Sequence, residues 1–278
     1  MRYLRLLKCR PDAKPINHNL KIVDPEFADI PAKVRGACMT KTIGVWLRGI
    51  YHSLPEPPST NFAYQELRPS PYNLLPANPI VYDIGSKNAR AGYFGGAPSG
   101  ATVVCIDIQP GPGVDIVADA QNMPQIPSES ADCVLLVSVL QHLPSPQKAI
   151  DEAFRVLRPG GVIYVTVPFI FVYHRDPEDF NRFSVPGLEF LCSRFERITS
   201  GSIRGPASIF CDLLIRFLGI LFSFNSNALY AVVVYCGKWT LFWIKYLDIV
   251  IAHYPTAYIM SGAPHFLGRK PTASDSIS

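Results

Sequence analysis

The segment from Ile80 to Asp107 constrains this chain most. IVYDI at 80–84 is a short, largely β-branched run, the kind that forms a strand covered on both faces. It leads into the turn-forming GSKNAR, and a second run, VVCID at 103–107, ends in a carboxylate. Gly85 lets the backbone pass close to a ligand, and Asp107 lies at the spacing of about 20 residues at which a doubly wound sheet presents an acid to a ribose. Such a carboxylate accepts hydrogen bonds from both ribose hydroxyls. Lys87 and Asn88 stand where a dinucleotide fingerprint would have glycine.

The alternation continues downstream. Strands are predicted at 80–84, 102–108, 114–117, 133–137 and 162–167. A helix is predicted before the last of these, with Pro146 near its start, Ile150, Phe154 and Leu157 on one face, and PGG at 159–161 as its stop. Strands alternating with helices give an α/β fold with a mostly parallel sheet covered on both faces. Its ligand crevice lies at the carboxyl ends of the strands, where Gly85, Asp107, Asp119 and Ser138 all fall.

Charge separates the rest of the chain. Residues 1–54 hold ten Lys or Arg against four Asp or Glu, whereas the remainder holds 16 against 18. Residues 1–31 show little periodicity and read as an arm. The following stretch to Leu54 places Val34, Cys38, Trp46, Leu47 and Ile50 near helical spacing, with Lys33, Arg35, Lys41 and Arg48 elsewhere on the surface. This basic amphipathic helix either packs on the core with a solvated side or lies on a membrane surface. Seven prolines between Pro55 and Pro79 mark a linker. The scattered bases and slightly acidic candidate site disfavour nucleic acid as a partner.

Seven cysteines form no CxxC and no metal-ligand spacing, so no metal site is predicted. A reducing cytoplasm is the expected compartment, and MRYLRLLKCRPD lacks the apolar run of a signal peptide.

Five segments then resemble one family when taken in order: DIGS at 83–86, CIDI with Asp107, DAQNMP at 119–124, SADCVLLVSVLQHL at 130–143, and AFRVLRPGGVIYVTVP at 153–168. Together they resemble the Rossmann-like, class I S-adenosylmethionine-dependent methyltransferases over residues 80 to about 200. The segment HRDPEDFNRFS at 174–184 is similar to a bacterial, methyltransferase-11-type group found with polysaccharide or lipid-linked sugar pathways. The resemblance implies S-adenosylmethionine as cofactor, with Asp83, Gly85 and Ser86 along its methionine and ribose portions. It implies Asp107 and Ile108 at the ribose, Asp119 and Ala120 at the adenine edge, and Ser138 on the same rim. Asp83 could instead tie down loop amides, and Asp119 could close an Asx turn.

On the acceptor side the expectation is His174 and Asp179 as catalytic groups and His142, Asp176 and Arg182 as substrate contacts. The alternatives are a loop in which Asp179 and Arg182 hold each other, and a histidine at 142 that packs or caps. The acceptor implied is a small or amphiphilic molecule, such as a glycan or lipid-linked sugar. A non-catalytic binding or scaffold protein on the same fold is the alternative.

The excess hydropathy, a mean of +0.15, sits near the end. IFCDLLIRFLGILFSF from Ile209 and ALYAVVVYCGKWTLFWIKYLDIVI from Ala228 read as an apolar helical hairpin, with Asp212 and Arg216 an i,i+4 pair. Lys238, Lys245 and Asp248 fall near one stripe, beside Trp239 and Trp243. The first helix is short for a spanning segment, so the hairpin is expected to lie on or dip into a membrane at its cytoplasmic face, to form a homodimer interface, or to act as a lid. The expected organisation is an arm, helix and linker at 1–79, a cofactor-binding core at 80–205, the hairpin at 206–258, and a final strand with a polar tail at 259–278.

Overall fold

The computed structural model describes residues 55–61, 70–85, 94, 96–174 and 178–272. The predicted basic helix before Leu54, Ser86, the Lys87-Asn88 pair and Asp176 lie outside the described residues.

Seven strands form one sheet: β1 (Ile80–Ile84), β2 (Thr102–Asp107), β3 (Ile116–Val117), β4 (Ala131–Val137), β5 (Leu157–Thr166), β6 (Glu196–Ser202) and β7 (Pro264–Arg269). Their order is β3-β2-β1-β4-β5-β7-β6, and β7 runs antiparallel to both of its neighbours. The order reverses between β1 and β4, which is where an open α/β sheet forms its ligand crevice. This is the Rossmann-like methyltransferase fold that the sequence implied.

The sheet is dry on both faces. Tyr82, Ile84, Val134, Leu136 and Ile163 point into one core, closed by helices α1 (Pro146–Val156) and α2 (Val185–Leu191) through Ile150, Val156 and Leu188. Val81, Cys133, Leu135 and Tyr164 fill the other face. There the predicted linker is more than a linker: Pro71–Leu74 forms a 3-10 turn, and Tyr72 and Leu75 pack on the sheet, with Tyr72 edge-on to Phe94. Ser70 caps the turn, so its backbone donors are met locally.

The PGG segment also departs from expectation. Helix α1 ends at Val156, and Pro159, Gly160 and Gly161 lie inside β5. Arg158 precedes a proline, which disfavours its helical conformation, so the chain has already turned extended at Leu157. Gly160, with φ at 78°, donates its amide to the Lys270 carbonyl, and Lys270 returns a bond to Gly161.

Between β6 and β7 stands the helical hairpin, α3 (Pro206–Phe222) and α4 (Asn227–Leu241), with its own core of Ala207, Cys211, Ile215, Val234 and Ile244. The helices approach closely at glycines: a Cβ on Gly219 would meet Tyr230 and Val234 at 2.8 Å. The second helix is not continuous as predicted. It tightens to a 3-10 segment at Phe242–Leu247 before a last turn, α5 (Asp248–Ile251).

That change of winding brings Asp248 off the expected polar stripe to full burial at the start of α3. Gly205 offers α3 no side-chain cap, and Asp248 accepts from the Ala207 and Ser208 amides at 2.8 Å each. Beside it, Asp212 pairs with Arg216 as expected, at 3.3 Å, and also with Arg204 at 3.5 Å. Among the described residues no helix is long and apolar enough to cross a membrane.

Candidate functional site

The parallel strands end in register, so their carboxyl ends form one rim. Ile84 pairs with Ile106 and Leu136, Asp107 with Val117, and Val137 with Thr166. Gly85, Asp107, Asp119 and Ser138 follow or end these strands and are brought to that rim together.

Gly85 has φ at 74°, its amide donates to the Ile106 carbonyl at 2.7 Å, and an added Cβ would stand 2.5 Å from Val139 Cγ2. Only glycine meets both conditions without strain. Asp83, the penultimate residue of β1, is fully buried, whereas Asp107 is buried at 6 % exposure and accepts from the Gln109 amide at 3.0 Å. Ile108, next to it, is 60 % exposed on the rim.

Asp119 closes a turn. Its carboxylate accepts from the Gln121 amide at 2.9 Å and from the Gln121 side chain, whose Oε1 accepts in turn from Ser145. Ala120 turns its methyl into the core. The turn is clamped from below by Glu152, which accepts from the Met123 amide at 2.8 Å, and by Arg155, which donates to the Met123 and Ile126 carbonyls.

Ser138 is exposed with φ at 56°, an uncommon backbone state for a serine. Gln141, a residue the sequence did not single out, holds it there. Its Nε2 donates to the Ser138 carbonyl at 2.7 Å, and its backbone carbonyl accepts from the Phe180 and Asn181 amides. A glutamine between Leu140 and His142 carries no sequence signal for such a role.

The acceptor-side residues divide into two groups. His142 and His174 face each other with ring centroids 6.0 Å apart. His142 Nδ1 lies 2.6 Å from the Glu178 carbonyl oxygen, which can only accept, so Nδ1 carries the proton and the lone pair falls on Nε2, 3.0 Å from the Gln141 amide. Asp179 and Arg182, by contrast, engage each other in a two-pronged pair, and Asp179 also accepts from the His174 amide at 2.8 Å. Burial would raise the Asp179 carboxyl, but Arg182 and the His174 amide outweigh it and hold the group below its ordinary range. Asp179 is thus a clamp on the loop carrying His174, and a weak proton acceptor.

Glu152 is also held below the usual carboxylate range, chiefly by Arg155. With both folded values below the unfolded ones, their stabilisation is present above the unfolded carboxylate range. It is lost as pH falls below about 4 through the folded values. Urea midpoints measured at pH 6 and pH 3.5 should therefore drop at the acid end, and Asp179→Asn should flatten that drop; an equal drop in the variant would remove Asp179 from the account.

Burial pushes the Cys192 thiol up to about 12, Cys211 up to about 11 and Cys133 further still, which makes these three poor nucleophiles. Among the described residues no group of three His, Cys, Asp or Glu is placed to hold a metal ion.

Residues 91–165, from before β2 to near the end of β5, match the family model described as a methyltransferase domain. The chain is 32 % identical over 133 residues to an Arabidopsis thaliana tRNA (carboxymethyluridine(34)-5-O)-methyltransferase, covering 44 % of this chain and 32 % of the relative. It is 34 % identical over 85 residues to the mouse (Mus musculus) thiol S-methyltransferase TMT1B, covering 24 % of this chain and 34 % of the relative. The chain thus spans about a third of the length of these curated relatives. Among solved structures it is similar to Haemonchus contortus phosphoethanolamine N-methyltransferase 2 in complex with S-adenosyl-L-methionine. The TM-score there is 0.46 at 18 % identity, covering 72 % of this chain and 50 % of that one. Residues 91–165 thus match a methyltransferase domain and lie on a sheet with the strand order of the Rossmann-like class I methyltransferase fold. Within that class the two curated relatives bear names with different acceptors, a tRNA uridine and a thiol.

Proposed function

We propose that this chain transfers a methyl group from S-adenosylmethionine to a small or amphiphilic acceptor. The observation that carries the reading is the row of Gly85, Asp107, Asp119 and Ser138 along one rim of a domain matched to the methyltransferase model. The cofactor supplies a methyl group on a positively charged sulfur, already activated for displacement. The protein's part is to align, to exclude water and to take up a proton where the acceptor releases one.

Asp107 would hold the ribose diol. Asp83, Gly85 and Ser86 would line the methionine end, Ile108, Asp119 and Ala120 the adenine, and Ser138 the rim between them. His142 is the candidate proton acceptor once its Nε2 gives up the hydrogen bond from the Gln141 amide, with His174 facing it and Asp179 and Arg182 fixing the loop. Exposed Tyr173 and Phe180 beside these rings favour an acceptor with an apolar part, such as a glycan on a lipid carrier. The free thiols of Cys105, Cys133, Cys192, Cys211 and Cys236 support a reducing, cytoplasmic compartment.

The locked Asp179–Arg182 pair favours a second reading, in which the domain binds the cofactor without turnover. Calorimetry with S-adenosylhomocysteine is the first test: micromolar binding is expected, and no binding by the intact protein would overturn both readings. Turnover of methyl-labelled S-adenosylmethionine with lipid-linked sugars and thiols then separates them, since binding without turnover on any acceptor leaves the second.

A further inference from the structure

We propose that the α3–α4 hairpin is a monotopic anchor that inserts its tip into one leaflet of an anionic bilayer. This goes beyond methyl transfer and does not depend on it.

From Phe217 to Gly237 the hairpin carries no charged residue. Its distal end nonetheless exposes Phe217, Ile220, Leu221, Phe222, Phe224 and Val232, with Phe224 in the turn 81 % exposed. Ile220, Leu221 and Phe222 are consecutive, so they point in directions about 100° apart and wrap most of the helix. A protein partner covers one side of a helix, whereas a bilayer surrounds it.

The charges stop at one level. A Cβ on Gly237 would lie 3.1 Å from Ile215, which sets Arg216 of α3 beside Lys238 of α4 as a collar under the tip. Asp212 is paired with Arg216, but from Arg204 to Asp248 four basic residues stand against two acids, so the base of the hairpin carries a net positive charge. Exposed Trp239 and Trp243 follow it, the residue type that settles at the headgroup level. Two tips docked against each other would bring like-charged collars together, but anionic headgroups would complement them.

Depth and backbone agree with insertion. Eleven residues separate Lys238 from Asn227 at the start of α4, about 16 Å of helix. That is about one leaflet of a hydrocarbon core some 30 Å thick. In the turn, the Ser223 amide and hydroxyl donate to the Ile220 carbonyl, the Ser226 amide to the Ser223 carbonyl, and the Leu229 amide to the Ser226 hydroxyl. These bonds pair four of the tip's donors before any contact with lipid.

The test is flotation of the full-length protein with phosphatidylcholine vesicles, with and without phosphatidylglycerol. Flotation with the anionic vesicles is expected. It should fall at least ten-fold for Phe217→Asp/Phe224→Asp and about five-fold for Lys238→Ala. Unchanged S-adenosylhomocysteine affinity and circular dichroism in each variant would establish that it folds. The proposal is overturned if the intact protein stays in the soluble fraction, or if the tip variant floats as well as its parent, which would assign binding elsewhere in the chain. It is equally overturned if the tip variant converts a dimer to a monomer while neither form floats.

Discussion

Replacing Asp107 with alanine should weaken S-adenosylhomocysteine binding by about 100-fold to 1,000-fold while leaving the domain folded. A charge-assisted hydrogen bond contributes about 1.5–3 kcal/mol, and a ribose diol offers two donors to one carboxylate. At the lower end of that span, as suits a rim open to water, losing both removes about 3–4 kcal/mol, which at 1.4 kcal/mol per decade gives that range. The Gln109 amide that Asp107 accepts belongs to an exposed residue and can bond to water instead, and circular dichroism of the variant checks that the domain stays folded. Asp107→Asn keeps an acceptor for that amide but lowers the charge, so an intermediate loss of about ten-fold is expected. Calorimetry of the three proteins side by side reads the outcome. An alanine variant that binds within five-fold of its parent would take the ribose away from Asp107.

Asp212→Ala should cost the protein about 3–5 kcal/mol. Asp212 lies between two arginines, and the side chains of all three are nearly buried, at 8 % for Arg204, 8 % for Asp212 and 14 % for Arg216. Burial pulls the Arg204 guanidinium below its ordinary range and Asp212 opposes that pull. Without the carboxylate, two cations remain close together in a dry site. The change can be followed by fluorescence during urea unfolding, because Trp239 and Trp243 are two of the chain's three tryptophans and both lie in this hairpin. A loss below 1 kcal/mol would mean that water already reaches the cluster. Arg204→Met in the Asp212→Ala background should recover part of the loss, since an apolar side chain of similar length replaces a stranded charge.

The sheet was legible because its strands are buried on both faces. Runs such as IVYDI and CVLLV need no partner to be recognised, and their carboxyl ends place the rim before any contact is known. The final strand and the hairpin before it were legible for a similar reason, apolar runs set off by turn residues, whereas β6, ERITSGS, has no such run. What the sequence hid depends on contacts between distant residues. Proline and two glycines after α1 look like a stop, yet they are strand residues because Lys270, more than a hundred positions away, pairs with them. Asp248 looks like a surface acid on a helix until the N-terminus of α3 is seen to lack a cap. Asp179 was expected to act beside His174, with a pair to Arg182 as the alternative, and the His174 backbone amide that also engages it comes only from the fold. Gln141 is the clearest case: nothing local distinguishes it, and its role comes from spanning two loops.

The ends of the hairpin have one more consequence. Ser202 and Pro264 are paired across β6 and β7, and the pairing continues through the Ile203 amide and the Ala263 carbonyl at 2.9 Å. The whole excursion of α3, α4 and α5 therefore leaves and rejoins the sheet at adjacent rungs, like a very long loop on an ordinary β-hairpin. Antiparallel neighbours at that separation can be closed by a turn of two residues, and loop length itself adds little to the closure entropy. The element is modular: it can be lengthened, trimmed or exchanged without disturbing the strand register.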